Sequence, residues 1–328
     1  MLDGASGLRV PMPTLGFGAA QLGNLFRETS DEEAAQAVRA AWEAGIRYYD
    51  TAPHYGLGLS ERRLGAALAG RRREEVLIST KVGRLLVPSP DTADRLDHEG
   101  FAVPAAAGRV WDFSADGVRR SLDASLERLG VDRVDIVYLH DPDDHWLEAS
   151  GSGIAALVAL REQGVIDAIG VGMNQSSMPA EFVRRHDVDL VMLAGRYTLL
   201  DQGALDDLLP VAVDRGVRIV AAGVYNSGLL SGPRPVLGAP YDYKPAPPEL
   251  VDRARRLAAV CEAHGVDLPT AAIHFPLRHP AVASVVVGAR TADQVRVNVE
   301  RFARSVPDDL WAELESSGLV RTRDGARA

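Results

Sequence analysis

Residues 48–65 read YYDTAPHYGLGLSERRLG. The apolar run that leads into them, IRYYD, ends on the carboxylate of Asp50, and Tyr55 follows five residues later. One polar side chain at the end of a buried strand means little. In a parallel barrel, however, all strands deliver their C-terminal ends to one mouth. The stretch therefore asks whether other apolar runs end in the same way.

Seven more such runs occur: TLGFG, EVLIST, VDIVYLH, AIGVG, DLVML, VRIVAAG and ASVVVG. Most lack polar alternation, which suits parallel strands buried on both faces. Amphipathic stretches separate them. Ser30 and Glu33 form a capping box before AAQAVRAAWEAG. Val118, Leu122, Leu126 and Leu129 fall on one helical face after Ser114. Helix ends repeat a signature: Gly45-Ile46, Gly130-Val131, Gly164-Val165, Gly216-Val217 and Gly265-Val266. Glycine accepts the left-handed turn that closes a helix.

Eight strands alternating with helices, with no break in composition, predict a (β/α)8 barrel, read as one domain over residues 1–328. The alternative is an open doubly wound sheet, which would carry GxGxxG after its first strand. Here Gly16-Phe17-Gly18 is followed by Gln21 where the third glycine would stand. Two connections are long: Gly83 to about Asp112 after strand 3, and Ser231 to about Pro248 after strand 7. Both read as structureless loops that cover the mouth. Phe101, Trp111, Tyr241 and Tyr243 argue against disordered insertions.

The chain of 328 residues has a net charge of −9 and a pI of about 5.4. An acidic surface repels phosphate backbones, so nucleic acid is not expected as a partner. No run approaches the ~18 apolar residues of a membrane span, and the N-terminal MLDGASGLRVPMP lacks the pattern of a secretory leader. The one cysteine, Cys261, reads as a buried structural thiol in a reducing compartment. A cytoplasmic protein acting on a small molecule is expected, with its oligomeric state open.

Strand 3 ends at Lys81, strand 4 at His140, and Asn174 follows strand 5. With Asp50 and Tyr55, these would converge on one mouth. Their chemistry is proton transfer to an oxygen. Tyrosine has a pKa near ~10, too high for a base at neutral pH. A neighbouring ammonium, Lys81, would lower it, and a drop of about three units requires ~4 kcal/mol of differential interaction. Asp50 would hold Lys81 charged. His140 would hydrogen-bond the reacting oxygen.

This constellation, with the motifs GIRYYDTAPHYG, LISTKVG, SLERLGVDRVDIVYLHDPD and GVGMNQ, resembles the catalytic tetrad of the aldo-keto reductases. DFSADGVRRSLDASLERLG, HDPDD, AGRYTLLDQ and GVYNSGLL are similar to the aldose 1-dehydrogenases of that superfamily, of the D-threo-aldose or L-fucose type. Pyridoxal 4-dehydrogenases and general aldehyde reductases stay open as alternatives. The resemblance implies NAD(P) extended across the barrel mouth, with Tyr55 as acid in reduction and, ionised, as base in oxidation. It implies that Asn174 holds the nicotinamide carboxamide and that Val224, Tyr225, Asn226, Ser227 and Gly228 wrap the pyrophosphate. Gly288, Arg290, Gln294 and Asn298 would meet the adenosine end, and Gly18 belongs to the same expected set. Three places depart from the family pattern: Leu193-Ala194-Gly195 lacks the usual Gln, Ala222-Gly223 lacks the usual stacking aromatic, and Met173 replaces a Ser. NADP-dependent members carry a Lys and an Arg where this chain has Gly288 and Gln294. NAD is therefore expected, with NADP possible through Arg290.

Three rival readings accompany this one. HDPDDH, His140 to His145, has the residue types of a zinc site, but Pro142 breaks any helix that would align the ligands, so no metal is expected. A strand-end lysine also suits a Schiff-base aldolase. A cofactor-binding regulatory subunit is the non-enzymatic reading.

Overall fold

The computed structural model describes residues 11–322; residues 1–10, most of the N-terminal stretch weighed above, lie outside them. The eight apolar runs form eight parallel strands: β1 (Leu15–Gly18), β2 (Tyr48–Asp50), β3 (Leu77–Val82), β4 (Ile136–His140), β5 (Ala168–Met173), β6 (Leu190–Ala194), β7 (Arg218–Ala222) and β8 (Val282–Gly288). Each pairs with its neighbours in sequence, and β1 pairs with both β2 and β8, so the sheet closes. Closure removes the open-sheet alternative.

Side chains alternate across each strand, because successive Cβ atoms point to opposite faces. Tyr48, Leu77, Ile136, Tyr138, Leu190 and Met192 fill the barrel. Tyr49, Ile78, Val137 and Leu139 join the larger core between barrel and helices. Asp50 lies two residues beyond Tyr48, Lys81 four beyond Leu77 and His140 four beyond Ile136. The same alternation therefore turns all three into the barrel at its C-terminal end.

Helix signals act where the sequence places them. Ser30 and Glu33 form the reciprocal capping box of the helix Asp31–Glu43. Ser114 caps Ala115–Leu129, whose buried stripe includes Val118, Leu122 and Leu129. The five glycines of the repeated signature all have left-handed φ, from +65° to +86°. No helix among the described residues is long and apolar enough to cross a membrane.

The two long loops are not structureless. The first opens as an antiparallel hairpin, Arg84–Pro88 against Ala107–Trp111. The second holds a shorter one, Pro240–Tyr241 against Lys244–Pro245. Their runs of two to five residues are too short, and too interrupted by proline, for alternation to show in the sequence. The hairpin tip Asp242-Tyr243 has both φ values positive, +47° and +62°. Arg196 grips Asp242 through two bonds of 3.0 and 2.9 Å, which holds that turn.

Candidate active site

At the mouth, Lys81 Nζ donates to Asp50 Oδ2 at 2.7 Å, to the Thr51 carbonyl at 3.0 Å and to the Tyr55 hydroxyl at 3.0 Å. The three donor positions of an ammonium are thereby used. The other Asp50 oxygen accepts from Ser79 Oγ at 2.7 Å. Ser79 lies 3.1 Å from the Tyr48 hydroxyl, which in turn lies 3.4 Å from that of Tyr138. This buried polar floor was not anticipated. Its signal is present, since Ser79 stands two residues before Lys81 and shares its face.

The Tyr55 loop is held from two sides. Gly56 has φ +62°, and a Cβ there would fall 2.2 Å from the Gly23 carbonyl oxygen, so the loops after β1 and β2 touch backbone to backbone. From the hairpin side, Phe101 packs on Tyr55 and edge-on to His54, with centroids 6.1 and 5.2 Å apart. A buried bidentate pair, Arg109 to Asp97 at 2.7 and 2.8 Å, also ties the His54 carbonyl through Arg109 at 3.1 Å. The His140 ring stands edge-on to Tyr55 at 5.9 Å and to His54 at 5.5 Å.

The electrostatics differ in one respect from the expected. Burial pushes the Tyr55 phenol up to about 12, and Lys81 only partly opposes it. The expected fall below 10 does not occur, because burial outweighs Lys81 and Asp50 further disfavours phenolate. Burial works against the Lys81 ammonium, but Asp50 and Tyr55 outweigh it and keep its pKa above the ordinary lysine value. Burial pushes the Asp50 carboxyl up, against the pull of Lys81 and Ser79. Burial, then the charge of Arg84, pushes His140 well below its ordinary value. Burial does the same to His54, down to about 2.

Both histidines thus stay neutral when folded, whereas in the unfolded chain they charge below about 6.5. Their contribution to stability is complete above that pH and is lost as pH falls through and below it, at about 1.4 kcal/mol per pH unit for each. Denaturant titrations at pH 7, 6 and 5 should show this fall. His54→Gln should make the slope shallower by roughly the share of one histidine. Equal slopes for variant and parent would mean that His54 is charged in the fold.

Some of the residues expected at the cofactor come together in pairs. Gly18 and Gly288 are partners in the β1–β8 register. The Tyr225 hydroxyl donates to Asn298 Oδ1 at 3.0 Å, and the Arg290 N–H donates to Gln294 Oε1 at 2.8 Å. Asn226 Nδ2 donates to the Gly195 carbonyl at 3.3 Å, and Ser227 Oγ accepts from the Tyr243 N–H at 3.2 Å. Val224 is buried in the core, and Asn174 is exposed directly after β5. The Arg290 guanidinium turns onto the loop after β1. It is buried and donates to the carbonyls of Leu25 and Arg27 and to the Thr29 hydroxyl.

This side of the mouth fits a dinucleotide. A Cβ on Gly288 would meet the Gln21 side chain at 2.6 Å, and one on Gly18 would meet Val286 at 3.1 Å. The Gln21 and Val286 side chains therefore occupy the space that a Cβ on either glycine would need. Gln21 Oε1 and Asn226 Oδ1 are buried acceptors without partners, which suits a ligand that brings amide or hydroxyl donors. The HDPDDH side chains, by contrast, engage different partners. Asp141 pairs with Arg84, Asp143 accepts from Gln175, and His145 packs against Trp111.

The comparisons with known proteins give the class to which this closed barrel and its polar mouth belong. The profile of the Aldo/keto reductase family matches residues 14–318, and the chain belongs to that family. It is 50% identical to D-threo-aldose 1-dehydrogenase of a Pseudomonas species, over 97% of both chains. It is 40% identical to pyridoxal 4-dehydrogenase of Microbacterium luteolum, over 97% of this chain and 96% of that one. Among solved structures, the holo form of an aldo-keto reductase from Bacillus halodurans superposes with a TM-score of 0.72 at 25% identity, covering 97% of this chain and 98% of its own. The protein is therefore an oxidoreductase of a family that works with NAD(P), as its motifs imply.

Proposed function

We propose that the chain, as one catalytic domain, oxidises the C1 of an aldose with NAD, and that Asp50, Tyr55, Lys81 and His140 carry the proton chemistry. The observation that carries this is Lys81 Nζ at 3.0 Å from the Tyr55 hydroxyl and 2.7 Å from Asp50. The Tyr55 oxygen accepts from Lys81, so its own proton is left for another acceptor. In reduction that acceptor is the carbonyl oxygen of the substrate, which the neutral His140 also meets as a donor. In oxidation the phenolate takes the proton back, beside a lysine that Asp50 keeps charged. A bound nicotinamide supplies or accepts the hydride. With Tyr55 pushed up to about 12, oxidation should speed up with rising pH while reduction stays flat over the neutral range. With a single, buried cysteine, we place the enzyme in the reducing cytoplasm.

The proposed preference for NAD over NADP is supported by Arg290. A 2′-phosphate needs charge-assisted donors, and this guanidinium already donates to three acceptors in the loop after β1. The test is a panel of aldoses and pyridoxal with each cofactor, in both directions, at equal pH and salt. L-Fucose or a related aldose should give the highest kcat/KM, and NAD should exceed NADP. A clear NADP preference, abolished by Arg290→Ala, would refute the cofactor reading. Pyridoxal outrunning every aldose would replace the substrate.

A further inference from the structure

We propose that the ion pair Arg84–Asp141 recognises the hydroxyl on the carbon next to the reacting one. The inference rests on reading Tyr55 and His140 as the groups that meet the reacting oxygen, and it deepens the aldose reading.

Asp141 follows His140 directly and has a left-handed φ of +40°. A non-glycine residue held there carries strain, a common mark of functional positions. The Asp141 carboxylate oxygen Oδ2 lies 3.5 Å from His140 Nε2. Arg84 opens the hairpin after β3, and its Nη2 donates to that same oxygen at 2.6 Å. The guanidinium also lies 4.4 Å from the Trp111 ring centroid, which fixes its plane. The side chains of the pair are 11% and 21% exposed.

Two features point to a ligand rather than to a purely structural bridge. Arg84 Nε is buried without a partner. The pair's one hydrogen bond uses Asp141 Oδ2, which leaves Oδ1 open. A sugar hydroxyl is donor and acceptor at once. It would accept from Arg84 Nε–H and donate to Asp141, satisfying both. In an aldose that hydroxyl sits on the carbon beside C1, about one hydrogen-bond length from the oxygen between Tyr55 and His140. Asp141 lies 3.5 Å from His140 Nε2, and Arg84 is bonded to Asp141, which brings both groups beside that oxygen.

The test compares reduction of glycolaldehyde and acetaldehyde with NADH, which differ only in this hydroxyl. The wild type should favour glycolaldehyde. The ratio of kcat/KM values should fall roughly ten-fold or more in Arg84→Met and in Asp141→Asn, because a site built to bond a hydroxyl discriminates through it. If Arg84→Met does not fold, Arg84→Lys carries the comparison. It keeps the charge beside Asp141 but loses the planar fork, and the ratio should still fall. Arg84 also helps to hold His140 neutral, but damage through His140 would slow both aldehydes alike. Parallel losses at a constant ratio, or a wild type indifferent to the hydroxyl, would overturn the inference. Failure of the wild type to oxidise any aldose, with the ratio behaving as expected, would sink the aldose reading and leave the pair's role supported.

Discussion

Tyr55→Phe should fold, bind cofactor and lose turnover by at least ~10²-fold, the lower end of what a positioned acid–base group contributes. The structure explains why the lesion is confined to chemistry. The ring keeps its contacts with Phe101 and His140. Lys81 keeps Asp50 and the Thr51 carbonyl as acceptors. The stability cost should therefore stay near ~1 kcal/mol, that of one hydrogen bond. What vanishes is the hydroxyl proton beside Lys81. The assay is kcat in both directions, with cofactor affinity measured by fluorescence titration. Near-normal kcat would remove Tyr55 from the role of acid, and a collapse of cofactor affinity would make the residue structural.

Lys81→Met should do more. It abolishes phenolate stabilisation, and it also strands a carboxylate whose side chain is 4% exposed. Removing one partner of a buried pair costs about 3–5 kcal/mol, because the remaining charge has neither water nor counter-ion. The two effects separate in the double variant. Asp50→Asn with Lys81→Met should recover much of the stability, since Asn keeps an acceptor for Ser79. It should recover no activity. Denaturant midpoints and kcat measured on all three variants form the cycle. Wild-type stability of Lys81→Met would mean that Asp50 is neutral in the fold. Activity in the double variant would mean that no charge is needed beside Tyr55.

The same pair shows how far the sequence could be read. That Asp50, Lys81 and His140 stand at or next to the ends of buried strands is visible in YYD, LISTK and IVYLH, and alternation alone turns all three inward. The strength of their coupling is not visible. It depends on how much water is excluded and on the charges already answered, and these set Tyr55 at about 12 rather than below 10. Arg290 makes a parallel case. Its position after β8 can be read from the chain. Its commitment to Leu25, Arg27 and Thr29 joins residues more than 260 positions apart, and no local pattern carries that.

The sequence by itself determined the closed barrel, the helix caps, the glycine helix ends and the strand ends that face the mouth. Periodicity and turn chemistry act over a few residues and are written in order along the chain. Only the tertiary structure decided the polar floor of Tyr48, Ser79 and Tyr138, the hairpin that brings Arg84 to Asp141, and the direction of each pKa. Those depend on distances between segments and on the exclusion of water. Both exist only once the barrel has closed and its loops have packed over one end.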